Sequence, residues 1–103
     1  MIKHIVLWQL KDDAEGQTRM ENARQLKAQL EALNGRIPGL RWLEVGLHVE
    51  DSHAGEDDAD VVLYSEFDDM AALEAYYPHP AHQAVVPFAR AIRLTRKVIN
   101  YEV

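Results

Sequence analysis

Two histidines and a tyrosine lie close to one proline in the segment from Tyr76 to His82, which ends in His79-Pro80-Ala81-His82. Proline suits the first turn of a helix, so Pro80 places His82 near a helix N-terminus. The positive end of the helix dipole disfavours a second proton on imidazole, and a neutral imidazole is a competent general base near pH 7. The segment therefore predicts His82 as a general base, with Tyr76 hydrogen-bonding a carbonyl oxygen of the substrate.

A third histidine, His4, lies in the opening segment from Ile2 to Leu10, whose residues alternate in a way that predicts a strand with apolar side chains on both faces. His4 shares a face with Val6 and Trp8. We predict that this face walls a pocket for a small, largely apolar or aromatic molecule. Val6 and Trp8 would bind it, His79 would be a further binding residue, and His4 would position the reacting groups.

Each polar residue of this set also has a structural interpretation. His4 would then be a core histidine with a hydrogen-bond partner, and His79 would hydrogen-bond the loop or cap the following helix. Tyr76 would fill the core with its hydroxyl at the surface. The sequence leaves both interpretations open.

The acidic residues concentrate between Glu50 and Asp60, where six acids occur without a lysine or arginine; elsewhere 11 acids balance 11 bases. This segment has no apolar periodicity and lacks the ligand spacing of an EF-hand, so it predicts a solvated loop. His79 and His82 are only three residues apart, a weak spacing for a zinc site. We expect neither a metal nor a cofactor.

The remaining segments supply the elements that must position the site. Helical spacing runs from Glu15 to Asn34, and Gly35 suits a left-handed C-terminal position. The chain then predicts a strand over 40–49, a strand over 61–67, a helix over 70–76, a helix over 81–91 interrupted by Pro87, and a strand over 94–103. The order β-α-β-β-α-β is that of the α+β ferredoxin-like unit, an antiparallel sheet with helices on one face.

Two helices can cover only one face of such a sheet, yet the strands are apolar on both faces. Ile5 and Leu7 oppose Val6 and Trp8 on the first strand. We therefore expect the second face to meet a second sheet, most simply in a homodimer that closes a dimeric α+β barrel.

The composition sets the class of protein. The chain has 103 residues, no cysteine and a formal net charge of −6, which fits one domain over residues 1–103. The acidic balance argues against a nucleic-acid partner, and no apolar run is long enough for a membrane span. The start lacks the features of a secretory signal, so we expect a cytoplasmic location.

Four segments together resemble the stress-responsive A/B barrel (Dabb) family. They are the opening run 2–7, the element from Tyr76 to His82 with its His-Pro-Ala-His core, the following 83–86, and the ending 98–103. The resemblance spans essentially the whole chain and implies a dimeric α+β barrel. A polyketide cyclase of this family closes a ring by aldol-type chemistry without a cofactor, which implies His82 as base, Tyr76 as orienting hydroxyl and His4 as the strand-one histidine.

Three functions remain open at this stage. The first is ligand binding with cofactor-free general-base chemistry at His82. The second is a non-catalytic, stress-associated dimer or binding protein. The third is a monooxygenase-like enzyme, since related α+β barrels host oxygen chemistry.

Overall fold

The computed structural model describes residues 1–49, 55 and 57–103. Its elements are β1 (Ile2–Leu10), β2 (Asp13–Ala14), β3 (Gln17–Thr18), α1 (Arg19–Glu31), β4 (Leu40–Leu47), β5 (Val61–Phe67), α2 (Met70–Tyr76), α3 (Pro80–Gln83), α4 (Val86–Ile92) and β6 (Arg93–Glu102). The four long strands form an antiparallel sheet in the order β4-β5-β1-β6. This confirms the predicted ferredoxin-like α+β unit.

The start of the first helix differs from the prediction. A small hairpin of β2 and β3 occupies residues 13–18, and its turn contains Glu15 and Gly16 at positive φ. The helix begins only at Arg19, because Thr18 and Glu21 form a capping box: the Glu21 N–H donates to the Thr18 hydroxyl, and the Thr18 N–H donates to the Glu21 carboxylate. Two-residue strands are too short to give a periodic pattern.

The predicted helix over 81–91 is two helices, α3 and α4, separated at Ala84 and Val85. Pro87 lies in the first turn of α4. Proline has no N–H to donate to the carbonyl four residues earlier, that of Gln83, so a continuous helix would lose this bond and its ring would clash there. The region therefore forms two short helices in place of one continuous helix.

The helices cover one face of the sheet. On β1 this covered face consists of buried side chains: Ile2, His4, Val6, Trp8 and Leu10. Helix α1 adds buried Ala23, Leu26 and Leu30 to the same core. The alternation predicted for β1 is therefore confirmed on this side.

The opposite face carries large apolar side chains exposed to solvent in the single chain. Leu7 is 40% exposed, Trp42 51%, Ile99 58% and Tyr101 40%. The strand register places Ile5 opposite Tyr64 and Ile99, and Leu7 opposite Val62. We call this surface the open face; it consists of Ile5, Leu7, Trp42, Val62, Tyr64, Ile99 and Tyr101.

Part of the acidic segment lies outside the described residues: Glu50, Asp51, Ser52, His53, Ala54 and Glu56. Asp57 and Asp58 are exposed, as a solvated loop predicts, whereas Asp60 is less solvated than expected. This residue is only partly exposed, and its carboxylate accepts a hydrogen bond of 2.8 Å from the Leu10 N–H. Asp60 thus anchors the start of β5 to the end of β1.

Within the described part of the chain, no helix has the length and apolar character needed to cross a membrane.

Candidate functional site

A cavity of about 470 Å³ lies on the covered face, between the sheet and helices α3 and α4. Five of the six predicted site residues line it: His4, Val6, Trp8, Tyr76 and His82. Its volume lies in the range of small-molecule sites. The structure therefore brings together residues that are up to 78 positions apart in the sequence.

His79, the sixth predicted residue, is not among those that line the cavity. Its Nδ1 accepts a hydrogen bond of 3.1 Å from the Ala81 N–H at the start of α3. This contact matches the capping interpretation, and we leave His79 out of the proposed site.

His82 is oriented by the chain that precedes it. Its Nδ1 lies 2.9 Å from the carbonyl oxygen of Tyr77. Because a carbonyl oxygen can only accept, Nδ1 carries the proton and Nε2 keeps the lone pair. The Gln83 side chain donates to the same carbonyl at 2.6 Å, which helps to fix its position. The arrangement gives His82 the tautomer of a base acting through Nε2.

Burial is the largest cause that lowers the pKa of His82, and the charges of Arg96 and His79 lower it further. The hydrogen bond to the Tyr77 carbonyl acts in the opposite direction and raises this pKa. The lowered pKa favours the predicted neutral imidazole. Helix α3 begins at Pro80, and His82 lies two residues further on, as predicted, but the helix has only four residues and therefore a small dipole. Removal from water is the largest cause of the lowered pKa.

Tyr76 is the last residue of α2 and is 1% exposed. Its ring centroid lies 4.3 Å from that of His82 and 5.1 Å from that of Phe67. Burial raises the pKa of Tyr76 far above its usual range, so the phenol stays protonated. No hydrogen bond to its hydroxyl occurs within residues 1–49, 55 and 57–103. Tyr76 therefore offers a hydrogen-bond donor beside His82.

His4 is held from two sides. Its Nδ1 lies 2.6 Å from the Asn100 Oδ1, and its backbone carbonyl accepts from the Ser65 hydroxyl at 2.7 Å. Its ring makes an edge contact with Tyr76, with centroids 6.1 Å apart. Burial lowers the pKa of His4, which favours a neutral ring. His4 thus packs against the tyrosine that contacts His82.

Sequence reasoning missed three arginines that also line the cavity: Arg90, Arg93 and Arg96. Arg90 lies in the last turn of α4, and the other two lie on β6. A signal was present, because no aspartate or glutamate occurs between Glu74 and Glu102. The equal numbers of acids and bases outside residues 50–60 concealed this local excess of bases.

In the part of the chain that the structure describes, no three His, Asp or Glu side chains lie close enough together to hold a metal ion.

The sheet order, the two crossing helical regions and the cavity beneath them define a ferredoxin-like α+β protein. The sequence matches the family described as Stress responsive A/B Barrel Domain over residues 2–103. The chain belongs to this family.

Similar proteins share almost the whole chain. An uncharacterized protein of Streptomyces coelicolor is 35% identical over 102 residues, covering 99% of both chains. A dimeric protein of unknown function from Bacteroides fragilis, with a ferredoxin-like fold, is 31% identical with a TM-score of 0.83, covering 99% of this chain and 95% of that chain. A dimeric ferredoxin-like protein from Thermobifida fusca is 20% identical with a TM-score of 0.80 over 99% and 90%, a likeness in fold.

Proposed function

We propose that the chain, as a single domain over residues 1–103, forms a homodimer in which two open faces pack together. Solved structures with the same fold are described as dimeric, which supports this assembly. The exposure of Trp42 and Ile99 supports it as well, because contiguous large apolar side chains on a sheet face mark an interaction surface. A cytoplasmic location stays a prediction.

We propose that the cavity on the covered face binds a small, largely apolar or aromatic molecule. The observation that carries this proposal is an open volume of about 470 Å³ beside His82. A filled interior would instead have favoured a purely structural role for the histidines and the tyrosine. Apolar side chains form much of the wall: Val6, Trp8, Leu63, Val85, Val86 and Val98.

We propose cofactor-free general-base chemistry in this cavity. Nε2 of His82 removes a proton from a carbon next to a carbonyl, and the Tyr76 hydroxyl donates a hydrogen bond to the oxygen that gains negative charge. His4 acts as a positioning residue through its ring contact with Tyr76. The uncharged states of His82 and Tyr76, both favoured by burial, are those that the step requires.

A proton-abstraction probe tests this chemistry without knowledge of the natural substrate. In 5-nitrobenzisoxazole, a base takes the carbon-bound proton, the nitrogen–oxygen bond breaks, and a phenolate forms that is measured by absorbance. We expect the wild-type protein to accelerate this elimination. The variant His82→Gln should lose about 10²-fold of the acceleration, the lower end for a general base.

The matched control is His79→Asn, which removes a histidine outside the cavity and keeps a residue that can cap α3. It should retain most of the acceleration. An undiminished rate in His82→Gln would remove the base role from His82.

The second candidate function is ligand binding without turnover. It is favoured by the burial of Tyr76 against Phe67 and by the hydrogen bond from His4 to Asn100, which are typical of an internal network. In that case His82→Gln lowers the melting temperature, and wild-type protein gives no elimination above that of free imidazole at the same concentration.

A further inference from the structure

The side chains that line the cavity carry positive charge and no negative charge. Arg90, Arg93 and Arg96 all line it, and none of the lining residues is an aspartate or glutamate. Within residues 1–49, 55 and 57–103, the ion pairs involve other cations, and these three side chains make no hydrogen bond. Three guanidinium groups thus line one cavity, and no carboxylate among the described residues pairs with them.

The three arginines act on one another. Burial lowers the pKa of Arg96, and the charges of Arg93 and Arg90 lower this pKa further, with Tyr77 and Tyr76 opposing them. Arg93 is half-buried, whereas Arg90 and Arg96 are exposed in the single chain. Like charges gathered at one cavity favour a ligand of opposite charge. A guanidinium group pairs well with a carboxylate or a similar oxyanion, because its parallel N–H groups match the two oxygen atoms.

The rest of the cavity has a different character. Apolar surface comes from Val6, Leu63, Val85 and Val98. Trp8 also lines the cavity and is opposite Arg96 in the pairing of β1 with β6. The Trp8 Nε1–H is buried and has no hydrogen-bond partner among the described residues. The cavity therefore combines an apolar wall with positive charge.

We infer that the ligand of this cavity is an anion with an apolar body: an aromatic or aliphatic molecule whose oxyanion group, such as a carboxylate, lies between Arg93 and Arg96. This inference rests on the proposed ligand-binding function and adds the charge of the ligand to it. The apolar body then lies against the valines and Trp8. In this orientation the molecule extends from the arginines towards His82 and Tyr76.

Two fluorescent probes that differ by one anionic group test the inference. They are 1-anilinonaphthalene-8-sulfonate and its uncharged analogue N-phenyl-1-naphthylamine, each titrated against the dimer. We expect the sulfonate to bind about tenfold more tightly, because charge-assisted hydrogen bonds add to the apolar contact. Raising the salt concentration should weaken the binding of the sulfonate and not that of the neutral probe.

The variant Arg96→Gln should weaken sulfonate binding about tenfold and leave the neutral probe unchanged. The matched control is Arg36→Gln, which removes the same charge from an exposed position outside the cavity and should change neither affinity. A competition experiment tests whether the ligand needs both an anionic group and an apolar body. An anion with an apolar body, 1-naphthoate, should displace the sulfonate probe, whereas inorganic phosphate, which has no apolar body, should not.

Three results would overturn the inference. Equal affinities for the two probes, both lowered by the cavity-filling variant Ala89→Phe, would refute the anionic ligand and leave the apolar cavity in place. If phosphate displaces the sulfonate probe as efficiently as naphthoate does, the ligand needs no apolar body, which would refute the inference. Dissociation of the dimer by Arg96→Gln, with probe affinity unchanged, would assign the arginines to a carboxylate of the partner subunit.

A different result would count against the proposed function itself. If Ala89→Phe leaves the binding of both probes unchanged, the probes lie outside the cavity, and ligand binding there fails together with the inference.

Discussion

The two faces of the sheet are built from the same strands and differ in what they meet. On β1, His4 and Val6 point to the covered face and line the cavity, whereas Ile5 and Leu7 point to the open face. Successive side chains of a strand point to opposite sides, so one alternating segment builds both surfaces. A shift of the strand register by one residue would move each side chain of β1 to the other face, so that neither the cavity nor the apolar open face would form.

The polar groups also differ between the faces. On the covered face, the His4 ring is held by Asn100 and packs on Tyr76. On the open face, Lys3 lies over the Tyr64 ring, 5.5 Å from its centroid, and the Tyr64 hydroxyl donates to Glu66 at 2.6 Å. The difference teaches that a buried polar side chain organises the cavity on the covered face, whereas on the open face polar pairs lie among exposed apolar side chains such as Leu7 and Ile99.

The largest expected effect comes from placing a charge on the open face. Ile99→Glu should weaken the proposed dimer by at least about 10³-fold, because burying an unpaired carboxylate costs several kcal/mol and a two-fold interface contains two of them. Sedimentation velocity over a dilution series measures the change. Met70→Glu, at an exposed apolar position in the first turn of α2, is the control and should leave the dimer intact. A dimer that survives Ile99→Glu would show that the open face is not the interface.

A smaller effect is expected where α2 approaches the end of the sheet. Gly39 has a φ of +80°, and a Cβ there would lie 2.5 Å from the Ala72 Cβ. Gly39→Ala should therefore lower the free energy of unfolding by about 2–4 kcal/mol, from backbone strain and from the clash.

Gly35 provides the matched control, because it has the same φ of +80° and no heavy atom within 4 Å of an added Cβ. Gly35→Ala should cost about 1 kcal/mol from the backbone alone. Urea unfolding at one fixed protein concentration compares the two variants. Equal losses would mean that the helix moves to accommodate the added methyl group.

The smallest expected effect is a dependence of stability on pH that originates on the covered face. Burial lowers the pKa of His4 below the ordinary value of 6.5, so the unfolded chain binds the proton first as the pH falls. The free energy of unfolding should therefore decrease as the pH falls below 6.5, until the lowered pKa of the folded state is reached. His82 contributes in the same direction.

Urea unfolding at about pH 7.5 and about pH 5.5 measures this dependence. His4→Gln should reduce it, whereas Trp42→Phe on the open face should keep it. A dependence that is unchanged in His4→Gln would exclude His4 as its origin, and one that is also unchanged in His82→Gln would place the origin outside both histidines.

Much of the fold could be predicted because its determinants are local. Alternation predicted the two faces of β1, and the bounds of β5 and α2 agree with the structure. Pro87 predicted an interruption of the last helical region. The hairpin formed by β2 and β3 could not be predicted by periodicity, because a strand of two residues contains no repeat.

The site was predictable in part. The sequence predicted that His4 and His82 line one cavity, His4 from its face of the first strand and His82 from its position after Pro80 at the start of α3. Arg90, Arg93 and Arg96 were missed because their spacing of three residues crosses a direct transition from helix to strand, where neither helical nor strand periodicity applies. Only the packing of α4 against the sheet brings their side chains to the same cavity.

The two tryptophans allow both faces to be observed in one measurement, because Trp8 lines the cavity and Trp42 lies on the open face. Their indole N–H resonances in a nitrogen–proton correlation spectrum report each face separately. Adding 1-anilinonaphthalene-8-sulfonate to the protein should move the Trp8 signal and leave that of Trp42 in place. Movement of Trp42 with Trp8 unchanged would contradict a ligand site on the covered face.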